Sequence, residues 1–86
     1  LHLDHPTPEI YADVFRRYAA SVGVEAPTSL IANVLQRYAD EKRDLRASEP
    51  RDLIERARDL CRLRRKPFAL DEEVMNIAWA AYFGLT

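Results

Sequence analysis

The residues of this chain best placed to do chemistry are Ser48-Glu49-Pro50-Arg51-Asp52-Leu53, where a proline marks the first turn of a helix and an arginine follows at once. A cation there faces the positive end of the helix dipole, which disfavours it by roughly 0.3–1 kcal/mol at an exposed site. Backbone N–H groups and a guanidinium converging on one point are the makings of a phosphate site. Arg46 is a second candidate close by in sequence. The alternative is that Arg51 is taken up in a surface pair with Glu49, Asp52 or Glu55, an arrangement worth about 0–1 kcal/mol. The chain has no Gly-x-x-x-x-Gly-Lys-Ser/Thr loop that would cradle a nucleotide unaided. An arginine of phosphate-reading type therefore stands without a phosphate-binding loop.

Other chemistry has less support. His2 and His5 flank Asp4 in a short leader, which predicts an extended linker rather than a metal site. Cys61 falls in the apolar stripe of a helix, where a small buried thiol is the usual occupant, and a single cysteine excludes an internal disulfide. The carboxylates are spread as caps and surface charges, and no Ser/His/Asp or Cys/His set can be placed on one scaffold. The chain alone is not expected to be an enzyme.

The elements that must position Arg51 are four helices, over about 8–22, 28–41, 50–65 and 71–83; the fold class is all-α, a four-helix lid-type bundle. Only Gly23 and Gly84 interrupt the chain as glycines, and no window alternates apolar and polar residues as a strand would. Thr7-Pro8 caps the first helix, Ile10, Val14, Tyr18 and Val22 recur at four-residue spacing along it, and Tyr11, Phe15 and Ala19 widen the stripe. Gly23 ends it in a left-handed cap. Pro27-Thr28-Ser29 opens the second helix, with Leu30, Ile31, Val34, Leu35 and Tyr38 on one face. A charged stretch from Lys42 to Ala47, anchored by Leu45, leads into the third. That helix turns Leu53, Ile54, Ala57, Leu60 and Cys61 inward and carries most of the arginines outward. Pro67 stops it and Asp71 caps the fourth, which is apolar from Val74 to Phe83 except for Asn76. A helix apolar all round needs cover all round, so Met75, Trp79, Tyr82 and Phe83 are candidates to face a partner.

The chain has 86 residues, 13 basic against 14 acidic, with 48% hydrophobic. This fits one domain with a small core, and a net charge of −1 argues against a general polyanion binder. The lack of a disulfide framework, signal peptide or long apolar run predicts a cytoplasmic protein without a membrane partner. A chain opening at Leu1 suggests a segment of a longer protein.

The order of parts resembles the C-terminal helical lid of an AAA+ ATPase, and is similar in layout to the lid of the Holliday-junction branch-migration motor. Glu9 to Ala19 with Gly23-Val24 resembles the first lid helix and its turn, and Ser29 to Asp40 the second. Ser48-Glu-Pro-Arg-Asp-Leu resembles the sensor 2 motif, and Phe68-Ala-Leu-Asp-Glu-Glu-Val the turn and cap of the fourth helix. The resemblance implies that residues 1–7 are a linker from a nucleotide-binding core and 8–86 the lid. It implies that Arg51 reaches the γ-phosphate of ATP, with Mg, held by that core, and that neighbouring subunits form a ring. Pro8 and Tyr11 would then lie at the hinge, on the adenine side. Where that family often has a glycine before the arginine, this chain has Ser48 and Glu49. Two other readings stand beside it: a free-standing protein-interaction module working through Trp79, Tyr82 and Phe83, and a nucleic-acid binder using Arg56, Arg58, Arg62 and Arg65.

Overall fold

A computed structural model describes residues 6–84. Its elements are α1 (Pro8–Ser21), α2 (Thr28–Asp40), α3 (Glu49–Leu63) and α4 (Glu72–Phe83), with no strand among the described residues. The four-helix, all-α expectation holds. His2, Asp4 and His5 lie outside the described residues.

The caps explain the boundaries. Thr7 Oγ1 accepts the Ile10 N–H at 3.2 Å, and Asp71 Oδ1 accepts the Val74 N–H at 2.8 Å, each satisfying a donor that a helix start leaves open. At the end of α1, Val24 N–H reaches the Ala19 carbonyl while Gly23, at φ +80°, points its N–H at Ala20. The same paired bonds close α2, from Arg43 to Tyr38 and Lys42 to Ala39, and α3, from Lys66 to Cys61 and Arg65 to Arg62. Here the left-handed residues are Lys42 at φ 56° and Arg65 at φ 55°, positions where glycine is the common occupant. Arg65 thus turns the chain before Pro67, and α3 ends two residues earlier than the proline suggests.

The core is formed by Tyr11, Phe15 and Ala19 of α1, Leu30, Ile31, Val34 and Tyr38 of α2, Leu53, Ile54, Ala57 and Cys61 of α3, and Val74, Met75, Ala78 and Trp79 of α4, closed by Leu70. Cys61 is buried as expected. In α1 the buried line is one residue round from the expected Ile10-Val14-Tyr18-Val22 line: those four are half-buried or, for Ile10, 53% exposed. The reason is aromatic size. Turning Tyr11 and Phe15 inward removes more apolar area from water than turning Ile10 and Val14 would.

α4 is covered by its own chain, which corrects the partner-facing expectation for Met75 and Trp79. Met75 is 4% and Trp79 1% exposed. Trp79 stacks edge-on with Tyr38 at 4.9 Å and packs on Phe83 at 4.4 Å, and its indole Nε1 donates to Glu41 at 3.0 Å. Glu41 also pairs with Arg43 at 2.7 Å, and the Arg43 guanidinium lies 4.0 Å from the Phe83 ring centroid. The polar end of α2 therefore folds over the aromatic end of α4, leaving Tyr82 and Phe83 half-buried.

Candidate functional site

α3 begins without the side-chain cap that opens α1 and α4. Ser48 has helical rather than extended backbone angles and makes no side-chain cap. The Glu49 N–H turns back to the Arg46 carbonyl at 3.2 Å, Pro50 has no N–H, and Asp52 reaches Ser48 at a long 3.5 Å. Arg51 sits in this first turn, exposed to solvent.

The three carboxylates that could pair with Arg51 all point elsewhere. Glu49 is buried, 8% exposed, and accepts the Tyr38 hydroxyl at 2.7 Å. The Tyr38 oxygen in turn accepts from Tyr11 at 2.9 Å. Asp52 accepts the Tyr82 hydroxyl at 3.0 Å. Glu55 accepts the Tyr18 hydroxyl and lies 3.7 Å from Arg58. Three tyrosines on three different helices thus each hold one carboxylate of α3, and among the described residues no ion pair forms at Arg51. A hydrogen bond to a charged acceptor outweighs an exposed ion pair, which is why the tyrosines win.

The hydroxyls respond to these surroundings. Burial pushes Tyr11 and Tyr38 well above the ordinary tyrosine range, with the hydroxyl and carboxylate contacts between them adding to the rise for Tyr38. The bond to Glu55 raises Tyr18, while the nearby positive charges of Arg51 and Arg58 oppose the rise. Tyr82 is raised by burial and by its bond to Asp52. All four therefore remain donors at neutral pH.

Arg46 is exposed and lines an open cleft of about 440 Å³ with Glu41, Lys42, Arg43, Asp44, Glu49 and Phe83. Arg51 does not line it, so the two candidate cations are not brought to one cavity there. Pro8 is exposed at the start of α1. Tyr11 is fully buried with its hydroxyl on Tyr38, which corrects its assignment to an adenine-facing hinge. The basic face of α3 is partly neutralised, Arg62 by Asp59 at 3.9 Å and Arg64 by Glu73 at 3.7 Å in addition to Arg58. No group of three metal-ligating side chains forms among the described residues, and no helix there is long and apolar enough to cross a membrane.

A family profile described as a domain of unknown function, DUF8689, matches residues 7–81, from the Thr7 cap into α4. The chain belongs to the DUF8689 family. No curated protein and no solved structure matches it. The matched span of the DUF8689 domain contains Arg51, all three tyrosine-held carboxylates and three of the four tyrosines; Tyr82 falls one residue beyond it. The tyrosines' task in this DUF8689 chain was not visible as a motif. Its signal was acids at 49, 52 and 55, three apart, in a chain whose apolar stripes carry four tyrosines needing hydroxyl partners.

Proposed function

We propose that this domain is the helical lid of an AAA+ ATPase and that Arg51 is its sensor arginine, contacting the terminal phosphate of ATP held with Mg by a separate nucleotide-binding core. The observation that carries the reading is an exposed guanidinium in the first turn of α3 whose neighbouring carboxylates are all bound to tyrosines. A cation at that end of a helix is electrostatically misplaced until an anion arrives, and a planar guanidinium fits a phosphate with two parallel hydrogen bonds. In the reaction, Arg51 would stabilise charge on the transferred phosphoryl group and couple its departure to lid movement. The core and the adjoining ring subunits are the partners, and the protein acts in the cytoplasm.

The test starts with the reading frame upstream of Leu1. A Gly-x-x-x-x-Gly-Lys-Ser/Thr loop between a strand and a helix is expected there. In that full protein Arg51→Ala should lower ATP turnover on the order of 10²-fold, the scale for loss of one transition-state donor, while this domain stays folded. A frame without such a core, or unchanged turnover and ATP affinity, would sink the reading.

A further inference from the structure

We infer that Tyr18 is a positioning residue, holding Glu55 away from Arg51 so that the guanidinium stays unpaired for an external polyphosphate. Glu55 lies four residues after Arg51 on α3, one helical turn away and on the same face. Glu49 and Asp52, two residues before and one after, do not share that face. Glu55 is therefore the carboxylate with the most direct route to Arg51, and a helix surface left to itself would pair them. In the folded domain Tyr18 reaches across from α1 and donates to Glu55 Oε2, and Arg58 approaches the same oxygen at 3.7 Å. Arg51 is near enough for its charge to be felt at the Tyr18 hydroxyl, so the groups are neighbours and the pairing is a choice. Glu55 has its negative charge answered by a hydroxyl and another arginine, and Arg51 keeps all its donors. That the anion is the terminal phosphate of a nucleoside triphosphate rests on the function proposed above; the positioning itself does not.

The test uses this chain with Tyr18→Phe, which keeps the ring and removes only the hydroxyl. Nitrogen-15 NMR of the Arg51 side chain reads the pairing, because an ion-paired guanidinium rotates more slowly. In the native chain Arg51 should rotate freely; in Y18F it should slow as Glu55 swings onto it, and Y18F/E55Q should return it to free rotation. Inorganic triphosphate, titrated against the Arg51 Nε signal, should bind Y18F several-fold more weakly than the native chain, with Y18F/E55Q recovering the loss. Native-like rotation in a folded Y18F would overturn the inference, as would slowing that E55Q does not reverse. Slowing in Y18F with no response of any variant to triphosphate would leave the positioning role standing and count against the phosphate reading. Should Y18F not fold, Glu55→Gln alone decides: with Tyr18 already holding the carboxylate, E55Q should hardly alter triphosphate binding, and a several-fold tightening would show that Glu55 competes for Arg51 in the native chain.

Discussion

At the scale of single residues, the buried chain Tyr11 to Tyr38 to Glu49 has an order of importance set by its geometry. Tyr38 is the middle member, accepting at 2.9 Å and donating at 2.7 Å. Tyr38→Phe leaves both the Tyr11 hydroxyl and a buried carboxylate without their partner, which should cost about 2–6 kcal/mol, since each stranded group carries a desolvation penalty of roughly 1–3. Tyr11→Phe removes only the terminal donor and should cost about 1 kcal/mol. Urea titrations of the two variants check the ranking, and equal losses would mean the chain of bonds is not formed in solution. Arg51 shows the converse. It was legible as an oddity because dipole sign follows from helix position alone, but the expected surface pair could not be judged from sequence, since its rivals come from α1, α2 and α4.

At the scale of the helices, the four C-terminal turns use the same left-handed geometry with different residues. Gly23 has nothing within 4 Å of where a Cβ would stand, so Gly23→Ala is a pure backbone experiment at φ +80°, expected to lower stability by about 1 kcal/mol. Lys42 and Arg65 already bear that strain at φ 56° and 55°. Lys42→Gly and Arg65→Gly should each raise stability by up to about 1 kcal/mol, less whatever glycine adds to the entropy of the unfolded chain. Thermal melts of the three variants should move in opposite directions for the glycine removed and the glycines added. The α3 turn explains why that helix ends two residues before the expected boundary, against one residue for α1 and α2: arginine, unlike glycine, gives no signal of a left-handed cap. Thr7, Asp71 and Gly23 did announce theirs.

For the whole molecule, the tyrosines make stability depend on alkali. Tyr11 and Tyr38 have folded-state pKa values raised above the ordinary 10. Their contribution is thus intact below pH 10 and is lost as pH rises beyond it, because the unfolded chain releases two protons that the folded chain retains. Each contributes about 1.4 kcal/mol per pH unit, so the pair removes roughly 2.7 per unit. A domain of this length has about 4–13 kcal/mol to lose. Unfolding from about pH 11.5 upward is expected, followed by far-UV circular dichroism alongside tyrosinate absorbance. Tyr11 and Tyr38 should ionise only together with loss of helix; a smooth titration of all four tyrosines before unfolding would show that the two buried hydroxyls are not sequestered.

The number of helices, their approximate extents, the inward faces of α2 and α3 and the burial of Cys61 were legible from the residues alone. Those properties follow from periodicity and from caps, which act within a few residues. Tertiary structure decided the rest. Which line of α1 turned inward depended on how much area the aromatic rings could bury against three other helices. The fate of α4 depended on Glu41 and Arg43, far away in the chain, reaching Trp79 and Phe83. The release of Arg51 from its neighbours depended on hydroxyls delivered from the other helices. Each is a competition among groups distant in sequence, and only the packed arrangement fixes which of them meet.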